Sequence, residues 1–439
     1  MNPRTRRSIG LTAVLLLLLS QPVAAAITIE FRGIEGELES AARGNLDLTQ
    51  FVDREASASQ VNRLFARAPD QIRQALEPYG YYHVHVDANL EPGAQPGEYR
   101  AVFRVERGEP VIVRKVRIDV GEAASLSAVR AALTAFRPAT GERLDHGVYE
   151  AARSNIAAAL QASGFFDARM LRRRVEVTLA TNSADVDLAW DPGRRYRFGD
   201  VHFTKTQFDE AFLAKYVPWK PDAYYDSEDL LTLQQRLVDA DYFSAVSIQP
   251  APGQAQDDRV PIEALLIPAK RTVYRAAAYV STDSGPGGRI GMERRWLNRR
   301  GHKAGGDFEY SQRLEEFSTF YRIPRPGARN RIYSFASGYR DEQTDSSRSR
   351  TLRLAASEVL DDWYGYTRTL GLQYLNGDFE IADERRDSSL LFAEAMLTRR
   401  RVDNILFPER GLSVTYDTRF AVENALSDTS FAQVSAAAK

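Results

Sequence analysis

The chain has 439 residues, 58 Lys+Arg against 59 Asp+Glu for a formal charge of −1, 10% aromatic residues and no cysteine. Even charge balance removes the basic excess by which nucleic-acid binders meet phosphate, so no nucleic-acid partner is expected. The lack of cysteine excludes a disulfide framework, a thiolate metal site and a cysteine nucleophile.

The first residues are a targeting segment. Arg4, Arg6 and Arg7 precede an apolar run from Ile9 to Leu19, then Pro22 and the small residues Val23 to Ala26, which reads as a signal peptide over 1–26. A run of about 11 residues is too short for a bilayer helix, which needs ~20. Arg6-Arg7 is half of a twin-arginine pattern, but Ser8-Ile9-Gly10 departs from it, so the general secretory route is favoured. No later apolar run approaches ~18 residues, so the remaining chain can enter a membrane only as a closed β-barrel.

Three helix-like stretches then end alike: Leu76 to Gly80-Tyr81-Tyr82, Leu160 to Gly164-Phe165-Phe166, and Leu237 to Asp241-Tyr242-Phe243. A motif recurring at roughly 80 residues predicts a small domain copied three times, over 27–107, 108–193 and 194–270. Each copy reads strand, helix, helix, strand, strand. In the first, Ile27 to Phe31 is a strand, Glu35 to Leu46 and Ser57 to Tyr79 have helical spacing, and Tyr82 to Leu90 and Tyr99 to Glu106 are strands. The second runs from Ile112 to Asp191 and the third from Tyr196 to Ile267, its second helix opening near Asp226 with Glu228 and Asp229 in the first turn. Gly80 and Gly164 suit the left-handed stop of a helix. Consecutive aromatics on the following strand would point to opposite faces. Tyr81, Tyr82, Phe165, Phe166, Tyr242 and Phe243 are then either core fillers, or pairs whose exposed member marks a strand edge that receives an incoming segment.

From Thr272 the helical spacing gives way to alternation by two, over 271–439. Tyr274, Ala276, Ala278 and Val280 oppose Arg275, Ala277, Tyr279 and Ser281, and Leu412, Val414, Tyr416 and Phe420 oppose Ser413, Thr415, Asp417 and Arg419. About ten such strands, aromatic-rich and joined by polar turns, are the pattern of an outer-membrane barrel, though a soluble β-sandwich alternates too. Charged Arg353, Glu358, Arg368, Asp417 and Arg419 are expected on the wet inner face, since a lipid-facing charge at mid-depth costs ~2–4 kcal/mol.

The three aromatic-pair motifs, with the strand-turn-strand link from Asp185 through Trp190-Asp191-Pro192-Gly193 to Gly199, closely resemble three tandem POTRA domains over about 27–270. The order of modules, with Tyr279-Val280-Ser281-Thr282-Asp283-Ser284-Gly285-Pro286, Gly291, Trp296-Leu297-Asn298 and Gly301-His302, resembles the TamA family of translocation and assembly module subunits. Phe407-Pro408-Glu409-Arg410-Gly411 resembles a barrel element of the wider assembly superfamily, with Phe407, Pro408 and Gly411 as its signature. The resemblance implies α+β POTRA repeats, β-α-α-β-β in three copies, followed by the N-terminal part of a transmembrane antiparallel β-barrel of sixteen strands, of which about ten are present. It also implies a first barrel strand that forms a weak lateral seam, here Val273, Arg275, Ala276, Ala277, Ala278, Tyr279, Val280 and Thr282. The chain departs from the family in lacking its late Arg-Gly-[Phe/Tyr] element and a terminal aromatic strand end, so a truncated sequence is expected; ten strands of sixteen would leave an open edge in lipid.

Other motifs are set aside. His83 and His85 share a strand face without further ligands nearby, Gly285-Pro286-Gly287-Gly288 lacks the lysine and helix of a phosphate loop, and Asp345, Asp361 and Asp362 lie in turn-like stretches. No nucleophile elbow is visible. No cofactor, metal or enzymatic activity is expected. The resemblance implies a factor in the cell outer membrane, its POTRA domains in the periplasm, that receives unfolded outer-membrane or autotransporter-like substrates and works with outer-membrane lipid and a TamB-like inner-membrane-anchored partner. The alternative is a pore that secretes a soluble cargo through its lumen, as in two-partner secretion.

Overall fold

A computed structural model describes residues 27–52, 57–93, 98–326, 331–344, 347–381, 384–402 and 409–439. The signal segment, Asp345, Phe407 and Pro408 lie outside the described residues, as does the side chain of Asp362. Compactness divides the chain into two units, one running to residue 160 with 168–192, the other comprising 161–167 with 193–439.

The first module contains β1 (Ile27–Arg32), α1 (Glu37–Gly44), α2 (Ala58–Leu76), β2 (His85–Pro92) and β3 (Tyr99–Glu106). The second has β4 (Ile112–Asp119), α3 (Ser127–Thr134), α4 (His146–Ala162), β5 (Arg169–Thr178) and β6 (Ser183–Asp191). The third has β7 (Arg197–Phe203), α5 (Glu210–Leu213), α6 (Ser227–Asp239), β8 (Phe243–Pro250) and β9 (Arg259–Pro268). In every module the last strand is central: the sheets run β1-β3-β2, β4-β6-β5 and β7-β9-β8, with the first strand parallel to the last and the middle one antiparallel to it. The middle strands β2, β5 and β8 are therefore outer edges.

Helix and strand patterns meet in these cores. Along α2, Val61, Ala68, Ile72 and Leu76 fall on one stripe and are wholly buried, facing Ala101, Phe103 and Val105 of β3. The Asp226 carboxylate caps α6 by accepting from the Glu228 amide at 2.9 Å, satisfying a donor at the helix start.

Ten strands form the remaining sheet: β10 (Thr272–Ser281), β11 (Gly285–Arg294), β12 (Lys303–Ser311), β13 (Leu314–Arg325), β14 (Arg331–Gln343), β15 (Ser347–Trp363), β16 (Tyr366–Ile381), β17 (Glu384–Val402), β18 (Gly411–Ala421) and β19 (Phe431–Ala438). Each pairs antiparallel with its neighbours in sequence, and among the described residues β10 and β19 are not joined, so the sheet is open. Its register keeps one face apolar. Tyr274 opposes Met292, Ala276 opposes Ile290, Ile290 opposes Phe308, and Phe308 opposes Phe317. Those side chains stand in the open, with Tyr274 at 76% and Val280 at 85% exposure.

Arg353, Asp417 and Arg419 lie on the other, polar face as expected, but Glu358 and Arg368 do not. Register pairs Glu358 with Tyr333 and Leu370, and Arg368 with Leu360, putting both on the apolar face. They sit near strand ends, where a charged side chain can leave the apolar depth, rather than at its middle.

Candidate functional site

The aromatic-pair motif builds joints between successive modules. After α2, Gly80 turns at φ +84, and a Cβ there would come 2.3 Å from the Leu144 carbonyl oxygen. Its own carbonyl accepts from the Val111 amide at 2.8 Å, tying the end of the helix to the start of the second module. Tyr81 is buried with the Arg107 and Arg143 guanidiniums 5.7 and 5.5 Å from its ring centre. Tyr82 places its hydroxyl 2.9 Å from His146 Nε2 at the start of α4.

The second copy repeats the geometry. Gly164 turns at φ +93 and its carbonyl accepts from the Tyr196 amide at 2.9 Å. Phe165 is buried, while Phe166 packs at 4.8 Å from the Tyr225 ring and 5.7 Å from that of Tyr196. Burial pushes the Tyr225 hydroxyl up to about 12.

In the third copy Asp241 takes the left-handed position at φ +58, and the motif here packs against the ten-stranded sheet in place of a further module. Tyr242 Oη donates to the Gly301 carbonyl at 2.5 Å, inside the turn between β11 and β12. Lys303 donates to the Ala240 carbonyl at 2.7 Å, at the C-terminal end of α6 where a cation is favoured, with its ammonium 4.7 Å from the Tyr242 ring centre. Trp296 packs on Phe208, and Arg295–Asp241 (2.9 Å) and Arg299–Asp209 (2.6 Å) flank the contact. Gly301 turns at φ +72, where a Cβ would lie 2.6 Å from Phe212 Cζ and Tyr242 Oη. Burial raises the Tyr216 and Tyr242 pKa values far above the usual phenol range, so both stay protonated.

Of the two readings left open for these aromatics, their burial agrees with core filling, and most of them precede the strand they were expected to lie on. None of the six is exposed, and only Phe243 belongs to a strand; Tyr81, Tyr82, Phe165, Phe166 and Tyr242 occupy the links before β2, β5 and β8. Each link runs from helix to strand inside its module and packs against the start of the next part of the chain, so its aromatics are taken up by the joint. Each sheet has two edge strands, and one of them is β2, β5 or β8.

The strand expected to form the seam is β10, at one edge of the sheet, and carries Val273, Arg275, Ala276, Ala277, Ala278, Tyr279 and Val280, with Thr282 just past its end. On the polar face Arg275 reaches Glu293 (3.2 Å) and Asp307 (3.5 Å), Arg289 reaches Asp307 (3.4 Å) and Glu309 (3.7 Å), and Tyr279 Oη donates to Glu309 at 2.6 Å. Arg419 likewise joins Glu394 (3.0 Å) and Asp417 (2.9 Å), while Gln373 bridges Arg353 and Glu394. These cross-strand ladders suit a wet interior, where each charge has a partner and water beside it. On the apolar face Ala276 and Ala278 meet only Ile290 and Gly288, which leaves β10 lightly packed. Gly411 opens β18 opposite Val402.

Known families carry the same parts. Residues 28–107 match the family model described as POTRA domain TamA domain 1, and residues 196–264 match the POTRA model described as surface antigen variable number repeat. The first and third modules thus match POTRA domains. The second module, between the two matches, repeats their order of elements. Among solved structures, the chain is similar to BamA from Haemophilus ducreyi lacking POTRA domains 1-3, with 12% identity and TM-score 0.43, covering 94% of this chain and 66% of that one. It is similar also to CdiB from Escherichia coli (13%, TM-score 0.43, 92% and 73% covered) and to POTRA1-3 of the periplasmic domain of Omp85 from Anabaena (16%, TM-score 0.23, 56% and 95% covered). The chain thus spans just under two thirds of the length of that BamA structure. POTRA domains joined to an antiparallel sheet with one apolar and one polar face make this an outer-membrane protein of barrel type with its modules in the periplasm. Among the described residues no helix is long and apolar enough to span a membrane, and membrane contact falls to the strands.

Proposed function

We propose that this chain is a non-enzymatic outer-membrane assembly or translocation factor of the TamA type. The observation that carries the reading is the match of residues 28–107 to the first POTRA domain of TamA, in a chain whose third module is bonded to a barrel-type sheet. Unfolded envelope proteins, autotransporter-like substrates among them, would add as strands to the open edges β2, β5 or β8, where main-chain hydrogen bonds give affinity without one required side-chain sequence. They would enter the bilayer at the β10 seam, whose small residues Ala276, Ala277 and Ala278 give an incoming strand little packing to displace. A TamB-like inner-membrane-anchored protein would dock on the first module. Secretion of a soluble cargo through the lumen is the competing activity.

Reconstitution with a urea-unfolded autotransporter β-domain tests this. Vesicles containing the protein should convert the substrate to a protease-protected, heat-modifiable form faster than empty vesicles, and a cysteine at Ala277 should crosslink to the substrate's terminal strand in this otherwise cysteine-free chain. Release of a soluble cargo inside the vesicles, with no acceleration of insertion, would replace the assembly reading by the pore.

A further inference from the structure

On the apolar face of the sheet, the end that carries the β11–β12 turn and so the third module is ringed by arginines. Register places Arg294, Arg325, Arg331, Arg368, Arg399 and Arg401 there, each in phase with the exposed apolar residues of its own strand. The opposite end of the same face is mixed in sign, with Asp341 held by Arg348 (2.7 Å) and Arg350 (3.3 Å).

The ring has a built pocket. Arg325 and Arg331 face each other directly across β13 and β14, an arrangement that repels unless an anion lies between them. With Tyr333 and Leu360 they line a cavity of about 330 Å³, within the ~300–1,000 Å³ of small-molecule sites. Leu360 is 4% exposed and forms an apolar floor. Glu358 occupies part of the positive field, 2.9 Å from Arg331 and 3.5 Å from Arg368, while Arg325 has no carboxylate partner among the described residues. Beyond the pocket toward mid-sheet the face continues through Phe335 and Leu372, both about half exposed. Two guanidiniums at a rim, a tyrosine beside them and an open apolar wall running away from the rim fit one kind of ligand: a phosphodiester headgroup with its acyl chains lying along the strands.

We propose that Arg325, Arg331, Tyr333 and Leu360 form a binding site for an anionic phospholipid on the outer wall of the sheet, at the end that carries the third POTRA module. The site rests on reading the apolar face as the lipid face and is independent of which substrates the protein handles. The bound lipid would neutralise the Arg325–Arg331 pair and fix the depth of the sheet beside the third joint.

Native mass spectrometry of the detergent-solubilised protein, titrated with dioleoylphosphatidylglycerol or dioleoylphosphatidylcholine, measures the site. The anionic lipid should be retained in preference to the zwitterionic one. With about fivefold in affinity per arginine facing an anionic lipid, the Arg325→Gln/Arg331→Gln double variant should lose some 25-fold, about the product of the two. Arg340→Gln, on the polar face and paired with Glu316 and Glu342, should change nothing. Glu358→Gln should strengthen retention, a gain that impaired folding would not produce. Equal retention of the two lipids, or an unchanged double variant, overturns the site. Displacement of the lipid by an equal concentration of glycerol phosphate or inorganic phosphate overturns the lipid assignment and leaves a phosphate site. If neither lipid is retained by any form, the lipid-face reading itself falls.

Discussion

In the periplasmic modules the large apolar side chains of the sheets turn toward helices and leave solvent: Phe103, Leu188 and Ile262 are wholly buried. In the ten-stranded sheet residues of the same kind, Tyr274, Ile290, Phe335 and Leu372, stand half exposed or more. Both regions alternate by two, yet alternation has opposite consequences in them because only the modules supply helices to cover the apolar face. The sheet has to obtain that cover from its surroundings. Burial within the chain stabilises the arm in water, whereas the sheet depends on lipid or detergent. The third joint is where the regimes meet, and it is built mostly from the arm's chemistry, with Phe208, Phe212, Tyr242 and Trp296 in one cluster.

The widest gap between the regions should appear on truncating one phenylalanine in each. Phe103→Ala, in a closed core, should cost about 3–5 kcal/mol, whereas Phe335→Ala on the open face should stay within about 0.5 kcal/mol; denaturant unfolding of each variant in the same detergent measures both. Equal losses would mean that the sheet has a protein core that its register does not reveal.

Gly301→Ala probes the boundary. With a left-handed backbone and a Cβ 2.6 Å from two aromatic side chains, it should cost about 3 kcal/mol and free the third module from the turn. Limited proteolysis should then cut between β9 and β10 while the sheet survives.

Within the sheet, neighbouring positions should differ in sign tolerance. Leu354→Arg on the apolar face should cost about 2–4 kcal/mol of folding in a bilayer, against little for Ser357→Arg on the polar face. Folding into vesicles, followed by the heat-modified gel shift, measures the difference. A penalty at Ser357 alone would exchange the assignment of the two faces.

The smallest contrast compares two joints. Tyr242→Phe removes a buried hydroxyl bonded to the Gly301 carbonyl and should cost about 1–2 kcal/mol; Tyr82→Phe, at a half-buried joint, should cost about 0.5 kcal/mol. Thermal unfolding distinguishes them, and equal values would make the third joint no tighter than the first.

Much of this was legible in the residues. Helix stripes such as Val61, Ala68, Ile72 and Leu76 carry their spacing openly, and the glycine or aspartate before each aromatic pair announces the left-handed stop. The pairs' role was less legible, since a joint forms between segments far apart in sequence: Tyr82 meets His146, and Tyr242 meets Gly301. Glu358 and Arg368 were misassigned for a similar reason. Their charge argues for the wet face, but register sets the face and their position near the strand ends makes it tolerable. The Arg325–Arg331 opposition was invisible until β13 and β14 were in register.

By itself, the sequence determined the three copied modules, the change from helical spacing to alternation after Thr272, and an apolar and a polar face for the strands. Periodicity is local, and each of these follows from nearest neighbours along the chain. Only the tertiary structure decided that the aromatic pairs build joints, that β2, β5 and β8 lie at sheet edges, and that arginines from separate strands gather at one end of the apolar face. Those features depend on which strands lie side by side, and pairing is set by packing across long stretches of chain rather than by any residue's own preference.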